Sequence, residues 1–528
     1  MGPIRGVTQS SKNDLYLAFK SSTLGFQLYK EQAVSAIDIP PARVGTSAYP
    51  AGVPNGVKFI YGIGAAAEAI VGVAFNAFNF FFYTNIMGVP GTLAGLAITI
   101  ALVVDAITDP LVGTLSDRWR SRLGRRHPFM FAAPLPVMLC LFLIYSPPAG
   151  FSSFTLFLWL TGLTVIMRSA MTLFHVPHLA LGAELSADFT ERTRVMSINT
   201  LLGSVGGFGT AFIAYSFVFS ATPEYSNGLL NREAYPTFAI WAACAGGVVM
   251  LLSTALTLNL VPRLPQVAVD LPRLSTMEFI RDVRSAMSNR NYLMLLIGYL
   301  LLSATLGTRD TIGLHMNTYY WELLPEQIRY FMIFGLIAPI VGFVVVAPLH
   351  NRFEKKPVLI SGLIALLIFA TLPVILRIAG YFPANNSDLL IPFLMVFYLL
   401  TLTFGVILLI SAMSALADIA DEHELNTHRR QEGIFYAARS FFAKASSGLG
   451  HLLAGIAIDI IDFPVGAEPG TVDPEIIFRL GLIDGPVAVV PGVIAVFFYL
   501  RYNLTRRRHT EIQAQLKARR DRLSGGAC

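Results

Sequence analysis

Twelve apolar stretches, separated by short segments that carry most of the charges, constrain this chain more than any other feature. A helix needs about 20 apolar residues to cross the hydrocarbon core of a bilayer, and such helices satisfy their own backbone hydrogen bonds there. The sequence therefore predicts an all-α membrane protein with twelve transmembrane helices. We place them at 58–84, 90–114, 128–147, 154–183, 195–220, 236–261, 291–314, 328–349, 357–378, 390–417, 433–461 and 481–501.

The composition excludes a soluble globular protein. Of the 528 residues, 54% are hydrophobic and 14% are charged, whereas soluble domains average about 45–50% apolar and about 25% charged residues. A net charge of +6 would suggest a nucleic-acid partner in a soluble protein, but basic loops account for it in a membrane protein. We expect the lipid bilayer as a partner, no nucleic acid, and a monomer.

The basic residues gather in alternate connections. Runs of Lys and Arg follow the even-numbered spans, as in 118–126 and 352–356, and continue in the tail from Arg506. Basic loops stay in the cytoplasm, and an even number of spans puts both termini on one side. We predict a multi-pass protein of a bacterial-type inner (plasma) membrane with both termini cytoplasmic.

The two halves of the chain repeat each other. The segment that begins at Ser116 matches one that begins at His350, 234 residues later, and Ala180-Leu181 matches Ala415-Leu416, 235 residues later. Two different loops whose offsets differ by one residue favour a duplication into two bundles of six helices. The predicted division is an N-terminal extension (1–57), a first bundle (58–262), a central loop (263–290), a second bundle (291–502) and a basic tail (503–528).

Asp105 and Asp109 lie four residues apart in the second span. That spacing stacks the two carboxylates on one face of a helix, where they repel each other unless one is protonated or a cation lies between them. Carboxylate oxygens, with the hydroxyl of Thr108, suit a hard cation. We predict a Na⁺ or H⁺ site at Asp105 and Asp109 and no other cofactor; the alternative is that one aspartate only pairs with a basic residue of span 4 or 11.

Other polar residues inside the spans are expected to face a cavity, because charges in a bilayer are costly. Arg168, Thr172 and His175 form one stripe of span 4, and Lys444 lies deep enough in span 11 to reach the aspartates. The residues predicted to bind solute or to couple it to the cation are Lys444, His175, Arg168, Glu68, Asn79 and Arg439.

Three further expectations concern ion pairs and the tail. Glu68 and Asn79 are expected to share one face of span 1, and the adjacent Arg309 and Asp310 to form a local ion pair. The tail is expected either to lie on the anionic membrane surface or to be disordered. The residues predicted to form a cytoplasmic gate are Asp117, Arg118, Arg125, Arg126, Glu184, Asp418, Asp421 and Arg352.

Several of these motifs occur together in one known family. The segment 105–110, followed by Gly113 and the arginine-rich loop, resembles the helix 2 cation motif of the glycoside–pentoside–hexuronide:cation symporter family. The segments 172–177 and 416–433 are similar to its other signatures, and Lys444 falls on its helix 11 lysine. The resemblance covers residues from about 58 to 502.

This resemblance implies the major facilitator fold and a cation site that includes Asp105, Asp109, Thr108 and Thr172, with Lys444 beside it. It also implies symport of a sugar or glycoside. The family's sugar-binding aspartates are replaced here by Ala69 and His175, however, and the segment 174–177 is similar to animal lysophosphatidylcholine symporters. A lysolipid or another amphiphile is therefore the alternative solute.

The function that we expect is cation-coupled symport by alternating access of the two bundles. An enzyme is not expected, because the nine histidines are scattered and His175 with His178 makes too small a site. The second alternative is a sensor or scaffold on the same fold that transports nothing. It would account for the long N-terminal segment and the basic tail, but not for the buried acidic pair.

Overall fold

The computed structural model describes residues 49, 52–186, 188–264, 281, 284–427 and 432–525. Within that part of the chain, twelve helices are long and apolar enough to cross a membrane, which confirms the predicted fold class. The first six are α1 (Asn55–Ile86), α2 (Gly91–Arg118), α3 (His127–Ile144), α4 (Ser153–Glu184), α5 (Thr190–Val218) and α6 (Ala234–Arg263). The second six are α7 (Arg290–Tyr320), α8 (Pro325–Arg352), α9 (Lys355–Ile378), α10 (Leu390–Thr427), α11 (Glu432–Ile460) and α12 (Pro474–Leu500).

Several predicted helix boundaries were wrong by more than a turn. Helix α5 begins at Thr190 instead of 195, and α2, α7 and α10 continue to Arg118, Tyr320 and Thr427 instead of ending at 114, 314 and 417. Helix α12 begins at Pro474 instead of 481, because Asp473 caps it by accepting from the backbone N–H of Glu475. Glu475 and Arg479 then pair one turn apart at 2.9 Å, so the polar first turns obscure the apolar pattern. Helix α1 begins at Asn55, inside the predicted extension. The rest of 1–57 and most of the central loop 263–290 lie outside the described residues.

The internal repeat appears in the helix geometry. Helices α1 and α7 both end in a wide π-helical turn, at Phe82–Ile86 and Met316–Tyr320. These turns are separated by the offset of 234 residues found in the loops, because residue 82 corresponds to 316 and residue 86 to 320. The duplication therefore extends from the loop motifs to the local shape of the helices.

The two halves meet most closely where α2 crosses α11. Gly91 and Gly455 lie so close that a Cβ on either residue would collide with the backbone carbonyl of the other. Gly95 makes a similar approach to the backbone of His451. Small residues at a crossing let two backbones approach closely within a membrane. The crossing also positions the middle of α2, which contains Asp105 and Asp109, against the middle of α11.

Polar contacts between the halves lie at the middle of the membrane and on the face opposite the termini. On that face, Asp459 of α11 accepts from the backbone N–H groups of Gly91 (2.6 Å) and Thr92 (2.8 Å). Asn85 donates to the hydroxyl of Tyr319 at 2.7 Å. On the opposite face, where the basic loops lie, the ion pairs between two described residues join parts of the same half. The structure is thus closed on the face opposite the termini.

The tail forms a thirteenth helix, α13 (Arg506–Gly525), packed against α10. Ile512 and Leu516 are buried in the core of the second half. His509 lies 3.0 Å from Asp421, and Arg520 lies 3.1 Å from Glu424. The prediction of disorder is therefore wrong for these residues. The two apolar side chains are buried against the protein, and adsorption of the tail on the membrane surface stays a prediction.

Candidate functional site

The two aspartates of α2 contact a lysine from the other half. The ammonium nitrogen of Lys444 on α11 lies 2.9 Å from Oδ2 of Asp105 and 2.5 Å from Oδ2 of Asp109. The predicted approach of Lys444 to the aspartates is confirmed as a contact. This ion pair joins the two halves at the centre of the molecule.

Helix α4 completes the cluster from within the first half. Nη2 of Arg168 lies 3.1 Å from Oδ2 of Asp105. One turn later, the hydroxyl of Thr172 is 2.9 Å from Oδ1 of Asp105 and 3.0 Å from Oδ1 of Asp109. Because a threonine hydroxyl has a single proton, it donates to one carboxylate at a time. The predicted polar stripe of α4 thus faces the aspartates.

The cluster is balanced in charge and open on one side. Two carboxylates face one guanidinium and one ammonium, so no charge of the cluster is left without an opposite partner, which would be strongly destabilising. The side chain of Asp105 is 7% exposed, whereas those of Asp109 and Lys444 are 22% and 24% exposed. Water or an ion can therefore reach the pair formed by Asp109 and Lys444 while Asp105 is held inside.

Oxygen atoms dominate the cluster. The carboxylates of Asp105 and Asp109 and the hydroxyl of Thr172 converge on one region, and such hard donors suit a hard cation. The ammonium of Lys444 already lies against both carboxylates. These residues fit a monovalent cation provided that Lys444 moves away, or a proton on one carboxylate.

Thr108 does not join this cluster. Its hydroxyl donates to the backbone carbonyl of Asp105 at 3.1 Å, a common alternative for threonine inside a helix. Thr108 makes no hydrogen bond to either carboxylate, and its predicted part as a cation ligand stays a prediction. Thr172 supplies the hydroxyl from the neighbouring helix instead.

Glu68 and His175 form a second polar pair beside the cluster. Nδ1 of His175 lies 2.7 Å from Oε2 of Glu68, which ties α4 to α1. Helix α1 contains a turn at residues 77–78, between Glu68 and Asn79, and the shared face predicted for these two residues stays a prediction. Asn79 is buried, and neither atom of its amide has a hydrogen-bond partner among the described residues.

Arg439 and Lys444 have different surroundings, as their spacing on α11 predicts. The guanidinium carbon of Arg439 lies 4.8 Å from the centre of the Tyr299 ring on α7, a cation–π arrangement. Arg439 does not contact the aspartates in this structure. Its predicted part in solute binding or coupling stays a prediction.

The predicted gate residues of the first half form a compact network. Arg125 and Arg126 both lie 2.7 Å from Oε1 of Glu184, and Arg126 also lies 2.8 Å from Asp117. Arg118 ends α2 on the same face. These contacts tie the loop after α2 to the end of α4.

The second half repeats this arrangement with one change. Lys355 lies 2.7 Å from Oδ2 of Asp418, and Asp421 pairs with His509 of the tail. The guanidinium of Arg352 lies over the Phe353 ring, 5.7 Å from the ring centre, and the predicted part of Arg352 in the gate stays a prediction. Helix α8 ends at Arg352, and Lys355 is the first residue of α9. The partner of Asp418 on α10 is therefore the start of α9 and not the end of α8.

Two acidic residues with structural contacts were missing from the predictions. Asp484 of α12 lies 3.0 Å from Arg309, so the expected pair of Arg309 with Asp310 is wrong. Adjacent residues of a helix point about 100° apart, which separates those two side chains. Asp459, at the end of α11, caps the start of α2. Asp484 lies within the predicted span 481–501, and a charged residue inside an apolar span would have indicated that it has a partner.

A large cavity lies inside the second half, between α7, α8, α9, α10 and α12. Its volume is about 630 Å³, and most of its lining is aliphatic or aromatic. Arg309, Asp310 and Asp484 supply its charged groups. Tyr215, from α5 of the first half, also lines it.

Comparison with known proteins identifies the family. The family described as MFS/sugar transport protein matches residues 60–506. The chain is 26% identical to the uncharacterized symporter sll1374 of Synechocystis sp., over 88% of this chain and 96% of that protein. It is 22% identical to YagG of Escherichia coli, a candidate glycoside/cation symporter, over 87% of this chain and 94% of that protein. It is 23% identical to sodium-dependent lysophosphatidylcholine symporter 1-A of Danio rerio, over 88% and 89%.

Solved structures share the fold. The inward-open xylose transporter XylE from E. coli matches with a TM-score of 0.58 and 13% identity, over 87% of this chain and 99% of that one. The nucleoside transporter NupG matches with a TM-score of 0.57 and 14% identity, over 85% and 100%. The matched family and the relatives are transporters, not enzymes. The chain is thus an integral multi-pass membrane transporter that belongs to the MFS/sugar transport family, the glycoside–cation symporters of the major facilitator superfamily.

Proposed function

We propose that this protein couples a Na⁺ or H⁺ gradient to solute uptake, and that the cation exchanges with Lys444 at Asp105 and Asp109. The observation that supports this proposal is the ammonium of Lys444 within 2.9 Å of both carboxylates. A cation between the carboxylates competes with this ammonium for the same oxygens. A proton on Asp109 would likewise remove the charge that holds Lys444.

The exchange is linked to conformation because Lys444 belongs to the second half and the aspartates to the first. The ion pair ties the halves together in the closed arrangement seen here. When a cation takes the carboxylates, this tie is lost, and the equilibrium shifts towards the state that binds the cation better. We propose that the face with the basic loops is cytoplasmic, so that this structure is the inward-facing state after cation release.

The choice between Na⁺ and H⁺ depends on the donors available. Two carboxylates and the Thr172 hydroxyl give Na⁺ several oxygen ligands, although Thr108 is turned away in this conformation. A proton needs only one carboxylate oxygen. Either cation neutralises part of the acidic pair and releases Lys444, so the coupling mechanism is the same for both.

A sugar or glycoside is the first candidate solute. The description of the matched family and the name of YagG support it. An amphiphile is the second candidate, supported by the aliphatic and aromatic lining of the cavity and by the names of the lysophosphatidylcholine symporters. Either solute would have to reach a site that both halves can contact, as alternating access requires.

Thermal stability of the purified protein tests the cation site without knowledge of the solute. A ligand that binds only the folded state raises stability by mass action. At fixed ionic strength, replacing K⁺ in the buffer by Na⁺ should raise the Tm of the wild type and leave the Tm of Asp109→Asn unchanged. If the cation is H⁺, the wild type should instead show a dependence of Tm on pH that Asp109→Asn lacks.

Asp388→Asn is the matched control, because it removes the same charge from an exposed loop. It should behave as the wild type does. Equal responses of all three proteins to Na⁺ and to pH would contradict the proposal. The same assay with sugars, glycosides and lysolipids, each with and without Na⁺, then identifies the solute class.

A further inference from the structure

The cavity of the second half contains an uneven set of charges. Arg309 pairs with Asp484 at 3.0 Å and also donates to the backbone carbonyls of Asp484 and Ala370. For Asp310, which is exposed to the cavity, no hydrogen bond or ion pair is formed with any described residue. The three groups together give the cavity a net charge of −1, since one guanidinium faces two carboxylates.

Asp310 belongs to a polar strip on an otherwise apolar wall. Gly313 and Asn317 follow it on α7 and also line the cavity. Spacings of three and seven residues place all three on one face of the helix. A Cβ built on Gly313 would have nothing within 4 Å, so the backbone of α7 borders open space there. The strip thus exposes the Asp310 carboxylate, the backbone at Gly313 and the Asn317 amide to the cavity.

The remaining walls suit an apolar body and a positive charge. Aromatic side chains line the same cavity, among them Trp321, Phe397 and Tyr398. The faces of aromatic rings attract cations, and the attraction is larger where water is excluded. A quaternary or protonated ammonium group beside Asp310 would be matched by both the carboxylate and the rings.

An occupant of this cavity would contact both halves of the protein. Tyr215 is buried at the end of α5, in the first half, yet it lines the same cavity as Asp310. A solute that touches both halves can bind one arrangement of them more tightly than the other, which is the condition for transport by alternating access.

We propose that this cavity is the solute site and that its solute is an organic cation, with one ammonium group on an apolar body, held by Asp310. This assignment rests on the proposed function: it names the solute of the symporter, and of the two candidate solutes it selects the amphiphile over the sugar. A zwitterionic or anionic head group fits less well, because Arg309 is already paired with Asp484 and no free cation of the lining remains for a phosphate or carboxylate. A sugar fits less well because most of the lining is aliphatic or aromatic.

Direct binding to the full chain in lipid nanodiscs tests the assignment. The probes are hexyltrimethylammonium, hexylphosphocholine and hexyl glucoside, which share one short chain and differ in head group. Trp321 lines the cavity, so its fluorescence reports binding in a variant with Phe in place of Trp119, Trp159 and Trp241. We expect saturable binding of the ammonium probe at least about tenfold tighter than of the other two.

Two substitutions and two controls complete the test. Asp310→Asn should weaken binding of the ammonium probe at least about tenfold, because it removes the counter-charge, whereas Asp310→Glu should restore most of it. Gly313→Phe fills open space and should abolish binding of the probe. Asp388→Asn removes a carboxylate outside the cavity and should bind as the wild type does.

Equal affinity for the three probes, or unchanged ammonium binding in both Asp310→Asn and Gly313→Phe, would overturn the assignment. If Asp310→Asn does not fold, Gly313→Phe alone decides, since a Cβ there has nothing within 4 Å. The binding assay uses no ion gradient. Failure of the cation site, detected with Asp109→Asn, is therefore distinguishable from failure of the solute site.

Discussion

Lys444 of α11 lies 2.5 Å from Asp109 of α2, so an ammonium from one half of the protein sits against the acidic pair of the other. The same carboxylate oxygens are therefore the proposed cation ligands and the groups that link the two halves. The carboxylates are the only described pair of acids stacked on one helix at the centre of the molecule, and the lysine that neutralises them is also the link between the halves. Cation binding and the closed arrangement therefore compete directly.

Replacing Lys444 by Met should separate cation binding from the link between the halves. The variant removes the competitor for the carboxylates, so a Na⁺ coupling ion should bind at least about tenfold tighter, which corresponds to about 1.4 kcal/mol. Coupled accumulation should be lost, because cation binding no longer breaks a link. Titration of Tm with Na⁺, or with pH if the cation is H⁺, measures the affinity; weaker cation binding in Lys444→Met would contradict the competition.

Asp459→Ala should open the face opposite the termini. The carboxylate accepts from the backbone N–H groups of Gly91 and Thr92, at the N-terminus of α2. Loss of such a cap costs about 0.5–2 kcal/mol, enough to shift a two-state equilibrium several-fold. Distances between spin labels on the ends of α1 and α7 should broaden towards longer values; an unchanged distribution would show that this contact does not hold the face closed.

Gly455→Ala tests the close crossing of α2 and α11. A Cβ at 455 collides with the backbone carbonyl of Gly91, which cannot move aside as a flexible side chain would. The variant should disfavour the closed arrangement, and the same label distances should lengthen. Gly72→Ala is the matched control, since a Cβ there has nothing within 4 Å. Identical distances in the two variants would contradict the role given to the crossing.

Ile512→Ala should destabilise the second half. Ile512 is fully buried where α13 packs on α10, and removal of such a side chain typically costs about 2–5 kcal/mol. Lys517→Ala, on the exposed side of the same helix, should leave Tm within a degree or two of the wild type. Equal Tm values for both variants would mean that the tail contributes little to folding.

The sequence predicted the features that depend on local pattern. Helix spans follow from apolar length, and the duplication follows from the loop motifs; Asn85 and Tyr319, which hydrogen-bond across the halves, are themselves 234 residues apart. The approach of Lys444 to the aspartates was predictable from depth in the membrane, because charges buried in a bilayer need partners.

The sequence did not predict which residues pair when the pairing depends on how distant helices pack. Arg309 pairs with Asp484 from 175 residues away because α7 packs on α12, while its neighbour Asp310 points elsewhere. The tail docks through two apolar residues whose spacing equally fits a membrane-surface helix. Thr108 and Thr172 both carry hydroxyls near the acids, and only the orientation of the helices decides which one faces them.

The most direct test of the account is ion-gradient-driven accumulation of solute by Asp109→Asn in sealed vesicles, measured beside the wild type and Asp388→Asn. The account predicts that the wild type and the control accumulate solute under a Na⁺ or a pH gradient. Asp109→Asn should only equilibrate the solute, with accumulation reduced at least about tenfold, because its acidic pair no longer holds a cation against Lys444. Full accumulation by Asp109→Asn would contradict the central claim that this carboxylate carries the coupling ion.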